Sequence, residues 1–284
     1  MRKSLISLTL VLVLLMTITI PASAITGGQP DGSGHPYGAL ILVPGMGFCS
    51  GTLIDEDLVL TAGHCTDFFS DPTLNIPAVY VTFDPVAAID YDTWMPLTTG
   101  TWYISTKSWV SHPDYVDSAW PFTWDYGLVM LDEDVVGITP ASLPYLGMVD
   151  VLVGTTGQTN QRFYDVGYGQ NGVNKEYQPY SANFDFTRRV AEQRYIPSKG
   201  SVGTQDPRWL MLNNVPSAKH GSGCGGDSGS GIFINKGAYP ATVVAVHTGG
   251  YNLGWKNQLC GRITSLNHRV DLPEVLNWIL PYMD

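Results

Sequence analysis

After position 25, the apolar residues of this chain occur in short runs, five to eight residues long and rich in β-branched and aromatic side chains. Stretches rich in glycine and proline separate these runs, and the chain holds 31 glycines and 19 prolines. Short apolar runs bounded by turn-forming residues are typical of β-strands. We predict strands in GALILV (38–43), PAVYVTF (77–83), YGLVML (126–131), DVLVG (150–154) and ATVVAVHT (241–248).

One segment near the C-terminus has helical spacing instead. Its apolar residues recur at i, i+3, i+4, i+7 and i+8, which is one face of a helix; they are Leu272, Val275, Leu276, Ile279 and Leu280. Asp271, followed three residues later by Glu274, predicts a capping box at the start of this helix. The whole pattern therefore predicts an all-β fold, barrels or a sandwich, with a C-terminal helix.

The first 24 residues are predicted to be a secretion signal. Arg2 and Lys3 precede an uncharged run at 5–20, which is 16 residues long and shorter than the roughly 20 that a spanning helix needs. The small residues Ala22-Ser23-Ala24 then form a signal-peptidase site. The mature, secreted chain is predicted to be 25–284, the 260 residues left after 24 of the 284 are removed.

The charge of the chain argues against two classes of partner. Asp and Glu number 25 against 15 Lys and Arg, and two of those bases leave with the signal, so the mature side chains carry a net charge of −12. A surface this acidic repels nucleic acid and anionic lipid. We therefore expect no nucleic-acid partner, and no membrane partner after signal removal.

The four cysteines predict two disulfides, because an exported chain folds in an oxidising compartment. On the residues alone, three pairings are possible. No two cysteines have the C-x-x-C spacing of a structural zinc site. We expect no metal site and no cofactor.

Three short stretches carry residues suited to catalysis. LVLTAGHC (58–65) ends a strand-like run at His64, and WDYGLVML (124–131) begins another at Asp125. The third, GSGCGGDSGSGIF (221–233), has six glycines in 13 residues around Ser228. Glycines at this density cost conformational entropy and bury no side chain. They suit a backbone that turns tightly and directs its N–H groups toward a ligand.

Together these stretches supply the parts of a nucleophilic serine. The Ser228 hydroxyl needs a base, which His64 provides, and Asp125 would hold that imidazole in its productive tautomer. The backbone N–H groups of Gly226 and Ser228 would stabilise the oxyanion. Alone, a histidine or an aspartate at a strand end is more often structural.

The segments TAGHC, DYGLVML and GDSGSG, in this order, resemble the three catalytic blocks of the trypsin/chymotrypsin-like serine peptidases. The likeness covers almost the whole mature chain, since FCSGTLI, HPDY, VGYG and EVLNWI also match. It implies two six-stranded antiparallel β-barrels, about 25–145 and 146–284, with the active site between them. It also implies a monomeric endopeptidase that acts on peptides or proteins through an acyl-enzyme.

The resemblance further implies how the cysteines pair and how the N-terminus is used. The disulfides would be Cys49–Cys65 and Cys224–Cys260. In this family, cleavage before an I-V-G-G type sequence frees an Ile ammonium, which pairs with the Asp that precedes the catalytic Ser. Here these residues would be Ile25 and Asp227, so signal removal itself would activate the enzyme.

The pocket residues suggest what is cleaved. In the family that this chain resembles, the residue six before the catalytic Ser lies at the pocket floor. Here that residue would be Ser222, and because trypsin-like enzymes have an acid there, the resemblance disfavours trypsin-like specificity. VAVHTGGYN resembles the pocket strand of bacterial glutamyl endopeptidases. The resemblance implies that His247, Thr248 and Gly249 belong to the substrate pocket, with His247 facing it and Thr248 bonding the catalytic Asp. An alignment shifted by one residue would exchange those two roles. The preference is left open between Glu and apolar or aromatic residues.

The remaining histidines and the tryptophans between His64 and Asp125 are assigned no catalytic role. His35, His112 and His268 are interpreted as structural or exposed. The segment between His64 and Asp125 is longer than in compact members of the family, and we expect most of its tryptophans to pack in the core; these are Trp94, Trp102, Trp109, Trp120 and Trp124.

The rival to an enzyme is a catalytically idle, protease-like binding domain, but such domains usually lose a triad residue, and this chain keeps all three.

Overall fold

The computed structural model describes residues 25, 28–120, 123–154, 160–170, 184–196, 206–214, 221, 223–234, 241–251 and 263–283. Their strands form two antiparallel sheets, each with seven strands. The predicted all-β class is confirmed. The predicted number of six strands in each half is wrong by one, for a different reason in each sheet.

The first sheet has the spatial order β6-β5-β2-β3-β4-β8-β7. Its strands are β2 (Gly38–Val43), β3 (Gly47–Leu53), β4 (Leu58–Thr61), β5 (Val79–Thr82), β6 (Tyr103–Ser105), β7 (Trp109–Ser111) and β8 (Gly127–Met130). All six residues of β2 are buried, because both of its faces pack in hydrophobic clusters. The count is seven because one extended segment is divided into β6 and β7. Between them, Lys107 has a φ of 58°, which interrupts the extended backbone.

The second sheet has the order β1-β10-β9-β12-β13-β14-β11. Its strands are β1 (Gln29–Pro30), β9 (Arg162–Gly167), β10 (Arg189–Arg194), β11 (Trp209–Asn214), β12 (Gly231–Ile234), β13 (Thr242–Tyr251) and β14 (Ile263–Arg269). The additional strand here is β1, which pairs antiparallel with β10 through Gln29 and Val190. The N-terminal segment is therefore held by the second sheet.

Three α-helices are present in the described chain: α1 (Gly63–Phe69), α2 (Met148–Val153) and α3 (Pro273–Ile279). Two 3-10 turns, Asp117–Ala119 and Leu280–Tyr282, are also present. The strand predicted at 150–154 is wrong, since these residues belong largely to α2. Gly147, with a φ of 73°, turns the chain into that helix.

The C-terminal helix α3 is confirmed, but its predicted capping box is wrong. The helix begins at Pro273, and its N-cap Leu272 makes no side-chain capping bond. The carboxylate of Asp271 is used elsewhere, because it accepts hydrogen bonds from Arg269 (2.9 Å) and from the Val149 N–H (2.7 Å). Asp271 therefore ties α2 to the end of β14 instead of capping α3.

Helix α3 packs on the first sheet, although it follows the last strand of the second. The ring of Trp278 lies 5.0 Å from that of His112, just after β7. The chain thus crosses between the two halves of the fold twice: β1, which precedes the strands of the first sheet, pairs in the second sheet, and α3, which follows the second sheet, packs on the first. No helix in the described part of the chain is both long and apolar enough to cross a membrane.

Most tryptophans between His64 and Asp125 pack against other rings. The pairs are Trp94 with Phe48, Trp102 with Tyr80, Trp109 with Phe69, and Trp124 with His112. Trp120 differs, since it is 40% exposed and its six-membered ring covers Gly249. The expected core role therefore holds for four of the five.

Candidate active site

Pairing of β4 with β8 brings His64 and Asp125 together. Thr61, the last residue of β4, lies opposite Gly127, the first residue of β8. His64 follows the end of β4, and Asp125 precedes the start of β8. Gly127 is required at this junction, because a Cβ there would lie 2.7 Å from the carbonyl oxygen of Ala62.

The carboxylate of Asp125 holds His64 at two points. The backbone N–H of His64 donates to Oδ1 of Asp125 at 2.7 Å. The ring nitrogen Nδ1 of His64 lies 2.9 Å from Oδ2 and 3.1 Å from Oδ1. Asp125 is fully buried, whereas the side chain of His64 is 28% exposed. The ring is thus fixed through Nδ1, which leaves Nε2 for a proton on the solvent side.

The charges of the pair reinforce each other. Burial is the largest influence on the pKa of His64 and would lower it, but the negative charge of Asp125 and their hydrogen bond raise that pKa above its ordinary value. Burial would likewise raise the pKa of Asp125, but His64 and the hydrogen bonds to the carboxylate lower it. Asp125 therefore stays ionised and favours a proton on His64.

Two further side chains hold Asp125 from the second sheet. The hydroxyl of Thr248 donates to Oδ2 of Asp125. The ring of His268 accepts the backbone N–H of Asp125 at Nδ1, at 3.1 Å. Sequence reasoning interpreted His268 as structural or exposed. No local motif indicates its contact with Asp125, which depends on the pairing of distant strands.

The loop that carries Ser228 is anchored on the first sheet. The carbonyl oxygen of Ser228 accepts the N–H of Ser50 at 2.8 Å and lies 3.8 Å from Sγ of Cys65, the residue after His64. Gly229 has a φ of 84°, and a Cβ there would lie 2.9 Å from the backbone nitrogen of Ala62. The serine loop therefore packs against the segment that leads into His64.

The backbone of this loop leaves two N–H groups available. The carbonyl of Gly225 accepts the N–H of Gln170, and the carbonyl of Asp227 accepts the N–H of Ser230. In a trans peptide the N–H points away from the C=O, so the N–H groups of Gly226 and Ser228 face the other way. Among the described residues, neither of these two N–H groups donates a hydrogen bond.

Asp227 is fully buried behind Ser228. Its carboxylate accepts the N–H groups of Gly169 and Cys224, both at 2.8 Å. Burial, together with the nearby negative charge of Asp165, raises the pKa of Asp227 well above its ordinary value despite these bonds. Ile25 is also fully buried, and no contact between Ile25 and Asp227 is among those described.

The predicted pocket residues are described in part. Ser222 lies outside the described residues, so its place at the pocket floor stays a prediction. His247 is 2% exposed. Its ring covers Gly223, the residue after Ser222, where a Cβ would lie 2.7 Å from Nε2 of His247. Gly249 lies beyond a bulge in β13, beneath the ring of Trp120.

The disulfide Cys49–Cys65 is confirmed, and it joins β3 to the helix that begins beside His64. Cys260 lies outside the described residues, so the Cys224–Cys260 pairing stays a prediction. Cys49, His64 and Cys65 cluster closely enough to suggest a metal site. The sulfurs of Cys49 and Cys65 are joined in the disulfide, however, and cannot act as thiolate ligands.

Comparison with known proteins bears on the family and the fold of this chain. The family model described as Trypsin matches residues 25–279. A protein named Trypsin from Saccharopolyspora erythraea is 26% identical over 235 residues, which cover 76% of this chain and 94% of that protein. The solved structure of HL collagenase aligns with a TM-score of 0.61 over 92% of this chain and 95% of the collagenase chain. At 16% identity, the likeness to the collagenase concerns the fold alone.

Proposed function

Because the chain belongs to the trypsin family of serine proteases, we propose that it is an active, secreted endopeptidase with the triad His64, Asp125 and Ser228. The observation that carries this proposal is the ring of His64, held through Nδ1 by the buried carboxylate of Asp125. That arrangement leaves Nε2 as the base for a nucleophile. No cofactor is needed for this chemistry.

The proposed reaction proceeds through an acyl-enzyme. His64 Nε2 takes the proton of Ser228 as the serine oxygen attacks the peptide carbonyl, and the N–H groups of Gly226 and Ser228 bind the resulting oxyanion. His64 then gives its proton to the departing amine. Water, deprotonated by His64, then attacks the acyl carbonyl; the bond to the Ser228 oxygen breaks, and His64 returns the proton to that oxygen as the acid product leaves. Asp125 keeps its charge throughout and stabilises the imidazolium.

A fluorophosphonate probe tests this proposal directly, because it phosphonylates only a serine activated as a nucleophile. We expect one adduct per molecule of processed enzyme, found by mass spectrometry on the peptide that contains Ser228. Heat-unfolded protein is the control and should not be labelled. A folded, processed protein that leaves Ser228 unlabelled would instead support the idle binding domain.

For specificity, we propose a preference for Glu before the scissile bond, and the hydrogen bonds of His247 support it. The carbonyl of Leu210 can only accept, so the Asn267 atom facing it at 2.9 Å is Nδ2. Asn267 Oδ1 is then an acceptor, and it lies 3.0 Å from Nδ1 of His247. Nδ1 therefore donates to Asn267 Oδ1, and Nε2 is the nitrogen nearer Gly223, on the side where the proposed pocket would lie. A protonated Nε2 would donate a charge-assisted bond to a substrate carboxylate.

His247→Ala is expected to lower the ratio of kcat/KM for a Glu peptide to that for the matched Gln peptide by about 10- to 100-fold, the value of one charge-assisted hydrogen bond. Cleavage of a matched Phe peptide serves as the control and should change far less. Measuring kcat/KM on the three peptides decides the question. A wild-type enzyme that prefers Phe, or a variant with an unchanged Glu/Gln ratio, would leave the apolar-pocket alternative standing.

A further inference from the structure

His268 lies between two N–H donors in the interior of the second sheet. Its ring is fully buried. Nδ1 accepts the backbone N–H of Asp125 at 3.1 Å, and Nε2 faces the indole N–H of Trp209 at 3.0 Å. One of these donors belongs to the proposed catalytic aspartate, so the contact reaches the triad directly.

The sheet fixes the position of this ring. His268 lies opposite Trp209 across the β11–β14 pair and opposite Val246 across the β13–β14 pair. The ring of Tyr126, the residue after Asp125, packs 5.5 Å from it. With strands on both sides and an aromatic ring against it, the imidazole has a defined place relative to Asp125.

The two N–H contacts also restrict the protonation of the ring. A ring nitrogen accepts a hydrogen bond only when it carries no proton. In a cationic imidazole both ring nitrogens carry a proton, so neither can accept a hydrogen bond. In a neutral imidazole one of the two nitrogens can accept. Nδ1 therefore accepts the Asp125 N–H in the tautomer with its proton on Nε2, whereas Nε2 accepts the Trp209 N–H in the other tautomer, so a neutral ring serves one of the two donors at a time.

We propose that His268 is a positioning residue for catalysis, whose Nδ1 accepts the N–H of Asp125 and fixes the backbone of that residue. The carboxylate of Asp125 is already held by His64 and Thr248. With its backbone held as well, Asp125 cannot tilt away from the imidazole of His64. This inference rests on the proposed role of Asp125 in the triad.

Two substitutions of His268 separate the hydrogen bond from simple packing. His268→Phe keeps a ring but removes the acceptor, and we expect kcat to fall about 10- to 100-fold with KM nearly unchanged, as a small misplacement of catalytic groups costs. His268→Asn places an amide oxygen near the position of Nδ1, and we expect it to restore kcat to within about threefold of wild type.

Trp209→Phe is the matched control, because it alters the same buried site from the other ring nitrogen. It should leave kcat within about threefold of wild type, since the Asp125 contact is kept. The inference is overturned if folded His268→Phe keeps wild-type kcat, or if Trp209→Phe loses as much as His268→Phe. If His268→Phe does not fold, the kcat of His268→Asn is compared with that of Trp209→Phe. A much lower kcat for His268→Asn overturns the inference, and equal values support it. Labelling of wild-type Ser228 reports separately on the proposed function.

Discussion

Asp125→Asn is expected to lower kcat/KM by about 10⁴-fold, since the equivalent change in a catalytic triad stabilises the wrong histidine tautomer. The carboxylate of Asp125 accepts from the His64 N–H, from Nδ1 of His64 and from the Thr248 hydroxyl. An amide has only one oxygen to serve these donors. Its NH₂ group would face Nδ1 and leave the proton on Nε2, where His64 cannot act as a base. Steady-state kinetics on a peptide substrate measures the loss.

The same substitution should also change the pH dependence. In the wild type, Asp125 raises the pKa of His64 above its ordinary value of about 6.5. His64 acts as a base only when neutral, so kcat/KM should decline as the pH falls through a value above about 6.5. Removing the carboxylate charge removes the main influence that raises this pKa. The acid limb of Asp125→Asn should therefore shift to lower pH.

Thr248→Val provides the matched control for Asp125→Asn. It removes one donor to the same carboxylate but keeps its charge, so we expect a loss of about 10- to 100-fold, the value of one hydrogen bond to a charged group and well below the loss in Asp125→Asn. The acid limb should move much less than in Asp125→Asn. A folded Asp125→Asn variant that retains kcat/KM within about tenfold of wild type would contradict the triad.

Strands were predictable where local pattern and tertiary burial agree. The run 38–43 is strand β2 over its full length, because a strand buried on both faces reads as a continuous apolar run. The run 150–154 has the same appearance, yet it lies in α2, whose first turn is held by the distant Asp271. Periodicity alone does not distinguish a short buried strand from a short helix.

The candidate site was predictable to the extent that its residues lie in contiguous motifs. His64 and Asp125 each end or begin a strand-like run, and β4–β8 pairing then brings them together. His268 belongs to no such motif. Its contact with Asp125 follows from the register of β14 against β11 and β13. Long-range register of this kind has no local sequence signal.

Retaining an extra residue before Ile25 is expected to lower kcat/KM by about 10²- to 10³-fold, the cost of losing an oxyanion donor. We propose that the free ammonium of Ile25 pairs with Asp227 and so orders the Gly226 and Ser228 N–H groups. Asp227 is buried without a described cationic partner, and its pKa is raised by burial and by Asp165. An ammonium would remove that electrostatic cost.

The reach from the N-terminal strand to Asp227 is sufficient. Pro30 lies opposite Arg189, and Arg189 lies opposite Gly167, which itself contacts the Asp227 carboxylate. The distance from Pro30 to Gly167 is therefore two strand spacings, about 10 Å. With Gln29 and Pro30 both held in β1, the four residue steps from Ile25 to Gln29 can extend about 14 Å. The segment can therefore carry a freed Ile25 to Asp227 while β1 stays paired.

N-terminal sequencing of the secreted, active enzyme, together with kinetics of a form that begins with Met before Ile25, tests this pairing. Asp227→Asn in the correctly processed enzyme is the matched control, because it removes the other partner of the ion pair. Its loss should match that of the extended form, and the combined change should add little, since both remove one interaction. An active enzyme that begins at another residue, or an extended form with full activity, would show that a free Ile25 ammonium takes no part in catalysis.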